Sequence, residues 1–212
     1  MTIKAPSATG FDRLAASYDR LAQMVFGAAI CESQRVWLGQ IPPGSRILWV
    51  GGGTGELLPA LLAQVQPAQV TYLELSPRML ARARARLAPA QQARVDWRVG
   101  TEADLPPEAR YDALLTFFVL DLFDPPHLAV MLDRLHRHLR PGGRWLFTDF
   151  VPQAAWHRLL LRLMYLTFRV LCGISGRHEL PFAAAFAQRG YQLGGERRFF
   201  RGMIAARWYK RG

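Results

Sequence analysis

The chain has 212 residues, half of them hydrophobic, and its 27 Lys and Arg against 16 Asp and Glu give a formal charge of +11. That length can bury one substantial core but not two independent ones, and the two cysteines, Cys31 and Cys172, are too few and too far apart for a secreted disulfide scaffold or a paired-cysteine metal site, which fits a reducing cytoplasm. Lys4 and Lys210 are the only lysines, so the basic field is made of arginine, able to attract nucleic acid or anionic lipid without selecting a sequence.

The first twenty residues lack the apolar segment of a secretory signal. No run of about 18 apolar residues occurs further on, so a soluble or peripheral protein is expected. From 10 to 40, Phe11, Leu14, Tyr18, Leu21 and Val25 recur at three- and four-residue steps, a helical period that the IPPG turn at 41–44 ends. The rhythm then changes. Short apolar runs at Arg46–Val50, Val70–Leu75, Val95–Val99, Ala113–Val119 and Arg144–Phe150 alternate with stretches of helical composition. Such alternation predicts parallel strands joined by crossover helices.

Residues 154–173, AAWHRLLLRLMYLTFRVLCG, predict one long apolar helix. At 100° per residue Arg158, Arg162 and Arg169 share a stripe about 40° wide. Three roles fit it: a helix packed on the sheet with snorkelling arginines, a lid over an apolar substrate, or a helix lying in a membrane interface. Two β-prone runs within 191–212 then predict an antiparallel hairpin added to the parallel sheet. The expected organisation is one domain: a helical cover (1–43), a cofactor-binding core (44–150), a lid-like helical insertion (151–179) and a closing helix with hairpin (180–212).

The segment ILWVGGGTGELL, 47–58, runs from a buried strand through a tight turn into a helix. Its glycines at 51, 53 and 55 give G-x-G-x-G, whereas the dinucleotide fingerprint G-x-G-x-x-G needs a glycine where Glu56 stands. A carboxylate in the first turn is a poor neighbour for a pyrophosphate. A nucleoside without phosphates tolerates it. Glu74 ends the second apolar run 23 residues after Gly51, a spacing suited to an acid that accepts hydrogen bonds from ribose hydroxyls.

These motifs together resemble the class I S-adenosylmethionine-dependent methyltransferases, over most of the chain from about Tyr18 onward. ILWVGGGTGELL is similar to their glycine loop, YLELSPRML to the ribose-binding acid with its helix, and VGTEADLP to the adenine-side segment. YDALLTFFVLDLF and HLRPGGRWLFTDF resemble their fourth and fifth strands, and the general likeness is to small-molecule enzymes of the quinone-biosynthesis type, which also carry a pair like Tyr18 and Asp19. The resemblance implies an α/β fold: a Rossmann-like, mostly parallel seven-stranded sheet with helices on both faces and a C-terminal antiparallel hairpin. It implies S-adenosyl-L-methionine as cofactor, with Tyr18, Gly51, Gly52, Gly53, Gly55, Glu74, Leu75, Thr101, Glu102 and Phe117 around it. Two positions depart from the pattern. Trp49 stands where the family commonly has an acid, and Thr101 where it often has the adenine-contacting aspartate, which leaves Thr101 and Glu102 as alternatives.

Methyl transfer from a sulfonium is an in-line displacement, governed more by alignment than by an acid. Aromatic faces suit the cation, and Tyr18, Phe117 and Phe118 are the candidates in the motifs. Asp121 and Asp149 follow the fourth and fifth strands above the same sheet edge, where two carboxylates raise one another's pKa and one can act as a base. The histidines at 127, 136 and 138 are expected in a helix behind the sheet, and His157 and His178 in capping or solvated roles; no metal site is expected. The expected reaction is methylation of a small, apolar acceptor such as a quinone, phenol or lipid, with peripheral membrane contact through 154–173. RNA methylation, for which only the charge argues, and an inactive membrane-associated binding module are the alternatives.

Overall fold

A computed structural model describes residues 24–172 and 180–212 of the chain. Its sheet has seven strands: β1 (Arg46–Val50), β2 (Gln69–Glu74), β3 (Val95–Val99), β4 (Tyr111–Phe117), β5 (Leu139–Phe150), β6 (Tyr191–Phe199) and β7 (Ile204–Arg211). Their spatial order is β3-β2-β1-β4-β5-β7-β6. The first five are parallel, and β7 inserts antiparallel between β5 and the edge strand β6. The chain reverses its direction of winding at β1, which has β2 on one side and β4 on the other. A crevice therefore opens above the C-terminal ends of β1 and β4, where ligands of open α/β sheets bind.

Both faces of the sheet are covered, so its central strands are continuously apolar instead of alternating. On one face Leu48, Val50, Leu114, Trp145 and Phe147 pack under α5 (Pro125–His138) and α7 (Phe182–Ala187). On the other, Ile47, Trp49, Ala113 and Leu115 meet α2 (Leu58–Val65). Helix α2 buries Leu58, Leu61, Leu62 and Val65, the one-sided stripe that a 3.6-residue period produces. Helix α3 (Pro77–Ala85) starts sharply because Pro77 occupies its first turn and the Ser76 hydroxyl accepts the Met79 N–H at 3.1 Å, a cap of the usual kind. Asp124 does the same for α5, accepting from His127 N at 3.0 Å.

The described residues also form α1 (Ala29–Arg35), the single turn α4 (Pro89–Gln92) and α6 (Ala155–Cys172). Leu161 of α6 packs with Phe26, Phe150, Met203 and Ile204 in a satellite cluster. His157 is buried and its Nδ1 accepts the N–H groups of Gln153 and Ala154, so it caps the start of α6.

Three strands differ from the sequence reading in their ends. β2 stops at Glu74, one residue short of Leu75. β4 spans Tyr111–Phe117, not 113–119, because Phe118 adopts φ = 56° and turns the chain out of the strand. β5 begins at Leu139, ahead of the apolar run Arg144–Phe150, and continues through Pro141, Gly142 and Gly143.

Candidate active site

Gly51 leaves β1 with its N–H still donated to Leu73 O of β2 at 2.8 Å. Its φ is 63°, and a Cβ there would meet Val119 Cγ2 at 2.3 Å, so position and conformation both demand glycine. Gly53 also has positive φ (62°), but a Cβ on it would meet nothing within 4 Å. The loop is held from two directions. Glu74 Oε2 accepts the Gly53 N–H at 2.9 Å while its Oε1 accepts Ser76 N–H at 2.9 Å. From below, the Tyr72 hydroxyl donates to Gly53 O at 3.1 Å.

Tyr72 belongs to a row of rings crossing four strands. Trp97 of β3, Tyr72 of β2, Trp49 of β1 and Phe117 of β4 follow one another at centroid spacings of 5.4, 5.3 and 5.8 Å. Trp49 and Tyr72 are register partners, as are Tyr72 and Trp97. Trp49 is thus an inner ring of an aromatic floor beneath the glycine loop, at a place where a carboxylate would be buried among apolar rings and penalised.

Above this floor lies a cavity of about 860 Å³, lined by the loop residues Gly51, Gly52 and Gly53, by Glu74 and Leu75, by Gly100, Thr101 and Glu102, and by Phe117 and Phe118. Its far wall comes from Ile30, Cys31 and Gln34 of α1 and from the 119–134 region, including Val119, Leu122 and Phe123. Burial pushes the Cys31 thiol above its ordinary pKa, partly offset by Arg35. Glu56 stands at the rim ahead of α2 and would repel a pyrophosphate from that helix end. Among the described residues, a glycine loop open to close approach, the buried Glu74 and a carboxylate at the helix end suit a nucleoside better than a pyrophosphate.

A methyltransferase domain family model matches residues 47–143, from the glycine-loop strand into β5. The chain is 32% identical over 160 residues to the ubiquinone/menaquinone biosynthesis C-methyltransferase UbiE of Rubrivivax gelatinosus, an alignment covering 74% of this chain and 61% of that one. It is 34% identical over 164 residues to a demethylmenaquinone methyltransferase of Tropheryma whipplei, covering 72% of this chain and 64% of the relative. The fold superposes on the Burkholderia thailandensis 1,6-didemethyltoxoflavin-N1-methyltransferase, solved with its substrate and S-adenosylhomocysteine, with a TM-score of 0.70 at 19% identity over 100% of this chain and 92% of that one. The chain therefore carries a methyltransferase domain over residues 47–143. It spans less than two thirds of the length of these two curated relatives.

Of the cofactor-side residues expected from the sequence, Gly51, Gly52, Gly53, Glu74, Leu75, Thr101, Glu102 and Phe117 all line the same cavity. Gly55 lies behind the loop, where a Cβ would meet Ala83 Cβ of α3 at 2.6 Å; Tyr18 lies outside the described residues. The two adenine-side alternatives are engaged differently. Thr101 Oγ1 accepts from Ala103 N and pairs with Asp104 in a tight turn, whereas Glu102 pairs with Arg134 of α5 at 2.9 Å and so ties the far wall to the β3 side.

The carboxylates expected as catalytic, Asp121 and Asp149, do come together, but neither is among the residues lining the cavity. Asp149 is fully buried; its Oδ2 accepts the N–H groups of Leu120 and Asp121, and its Oδ1 that of Phe150. Burial first, and the charge of Asp121 second, hold its carboxyl well above the ordinary aspartate range. Asp149 therefore braces the 118–123 loop from behind. The loop needs bracing because Phe118 holds a left-handed conformation rare for an aromatic residue.

His127 lies in α5 as expected, but near that helix's N-terminal end it also lines the cavity, with Nδ1 2.7 Å from the Asp124 carboxylate. His136 meets Tyr191 OH at 3.1 Å and His138 is buried against Ala109 O at 2.9 Å; His178 falls outside the described residues. Arg86 donates to Thr54 O at 2.8 Å and so ties α3's end to the glycine loop. Sequence reasoning missed Val119, Leu122, Phe123 and Arg134 as wall residues. The only available signal was their position after β4, the strand next to the switch point.

Proposed function

We propose that this chain transfers a methyl group from S-adenosyl-L-methionine to a small, apolar, electron-rich acceptor of the quinol or phenol type. The observation carrying this reading is that one cavity joins the glycine loop and Glu74 at one end to Ile30, Phe118, Leu122 and Phe123 at the other. Its volume lies high in the range of roughly 300–1,000 Å³ for small-molecule sites, enough for a nucleoside and a flat acceptor side by side. The likeness to quinone-biosynthesis methyltransferases supports the acceptor class.

When bound, the cofactor supplies an electrophilic methyl on a cationic sulfur. In the proposed mechanism Glu74 fixes the ribose, while the backbone of Gly51 to Gly53 lets the ligand approach closely. Phe117 and Phe118 present aromatic surface to the positive charge, and the wall from α1 and the 118–123 loop excludes water. Holding the acceptor atom and methyl in line is worth about 7–11 kcal/mol in well-oriented systems. No carboxylate base is assigned. A phenolate oxygen that binds already deprotonated needs none, methylation at a quinolate carbon would release the displaced ring proton to solvent as the product leaves, and Asp149 is proposed as a positioning residue for the loop.

Purified protein is expected to show a raised melting temperature with S-adenosylmethionine or S-adenosylhomocysteine and none with NAD. It should yield a product 14 mass units heavier from a demethylated quinol under reducing conditions, a difference set by replacing hydrogen with methyl. Stabilisation by NAD alone would overturn the assignment. Cofactor binding with methylation of only hydrophilic amines or nucleic acid would overturn the acceptor class.

A further inference from the structure

Large apolar side chains left in solvent are not scattered over the molecule. Of the eight that are exposed among the described residues, Trp156, Leu159 and Leu163 (42, 59 and 58% exposed) lie on α6. At 100° per residue they share a sector about 60° wide, opposite the buried His157 and Leu161. Two more, Met24 and Val25, directly precede Phe26, which belongs to the same satellite cluster as Leu161.

The turn between β6 and β7 completes this surface. Phe200 lies between Phe26 and Trp156, with ring centroids 5.0 and 6.2 Å away. Phe200, Arg201 and Gly202 all have positive φ (46°, 52° and 88°), in a hairpin tip where asparagine and glycine are the unstrained choices. An aromatic ring and an exposed arginine are held there against backbone preference, beside the apolar stripe of α6.

Among the described side chains of α6 and of the β6–β7 turn, the charged ones are all arginines. Arg162 is exposed at the stripe's flank and Arg201 is exposed at the turn. From 150 to 178 the sequence has four arginines and no acid. No described helix is long and apolar enough to cross a membrane. A tryptophan with leucines on one side of a helix, arginines beside them and no acid is the composition that lies in a headgroup layer.

We propose that the outward stripe of α6 and the β6–β7 turn form a docking surface for an anionic lipid bilayer. Trp156, Leu159 and Leu163 enter the headgroup boundary, while Arg162 and Arg201 meet lipid phosphates. Ile30 and Phe118 belong both to the satellite cluster and to the cavity lining, which places the docked face next to the cavity. The surface goes beyond the methyl-transfer reading and does not rest on it.

The test is flotation of the full chain with vesicles of phosphatidylcholine alone and of phosphatidylcholine mixed with phosphatidylglycerol. Binding is expected only to the mixed vesicles, and it should weaken as salt is added. Leu159→Glu with Leu163→Glu should abolish it. Arg162→Gln with Arg201→Gln should lower it roughly tenfold or more, at about one interfacial charge's worth per arginine. Melting temperature and S-adenosylmethionine affinity, measured on the same variants, should stay unchanged, which separates this proposal from the cofactor reading. Equal binding to neutral vesicles, no binding, or wild-type binding by the glutamate variant would overturn it. So would a dimer in sedimentation that the glutamate variant dissociates, since a second copy would then cover the face.

Discussion

Glu74→Gln isolates the contribution of one carboxylate to both folding and ligand binding. Glu74 is 5% exposed, and its two oxygens each accept a backbone N–H at 2.9 Å, one from the glycine loop and one from the start of the α3 cap. Glutamine retains one acceptor oxygen and turns an NH₂ toward the other backbone donor. One charge-assisted hydrogen bond is therefore lost, worth about 1.5–3 kcal/mol. For a chain of this size that is a fall in melting temperature of roughly 3–12 °C. Cofactor affinity should fall further than stability accounts for, by roughly 10- to 100-fold, because the same group would hold the ribose and each tenfold is about 1.4 kcal/mol. Differential scanning fluorimetry without ligand gives the first quantity and isothermal titration with S-adenosylhomocysteine the second. A variant that melts lower but binds with the wild-type constant would leave Glu74 as a loop brace and refute its role in gripping the sugar.

Two glycine substitutions should separate packing from ligand approach. Gly51→Ala drives a methyl into Val119 at a positive φ, so it should destabilise the fold by several kcal/mol, roughly 2 or more from strain and overpacking. Gly53→Ala meets open space at a similar φ; it should cost only about 1–2 kcal/mol of conformational strain while weakening cofactor binding, and equal losses in both variants would contradict the assignment of Gly53 to the ligand side. Asp149→Asn tests the buried brace by its pH signature. Because burial and Asp121 raise the folded-state pKa above the ordinary 3.8, the native chain binds this proton more tightly than the unfolded one, so its contribution to stability is present below 3.8 and is lost as pH rises through the folded value. Denaturation curves from acid to neutral pH should fall less with rising pH in the asparagine variant than in the wild type; parallel curves would contradict the protonated brace.

The sequence alone determined the order and kind of elements because each carries its own local signal. Arg46–Val50 matched β1 residue for residue because Gly44, Ser45 and Gly51 bound an apolar core strand on both sides, and Val95–Val99 matched β3, a half-buried edge strand ended by Gly100. The glycine loop and Glu74 were legible for a related reason: a backbone that must take positive φ, and an acid at a fixed distance along two adjoining strands, leave a trace in residue type and spacing.

What the residue types could not give was which side chains face one another across the fold. Asp121 and Asp149 are 28 positions apart, and only the pairing of β4 with β5 brings them together, while only the left-handed turn at Phe118 decides that they brace the loop and do not line the cavity. Trp49 looked like a misfit beside its glycines until β1, β2, β3 and β4 lined up to make it one ring of four. Local pattern reports whether a residue is buried or turned, because burial and φ are properties of one position. Whether a buried group braces, binds or packs depends on its neighbours in space, and these exist only once long-range strand pairing has closed.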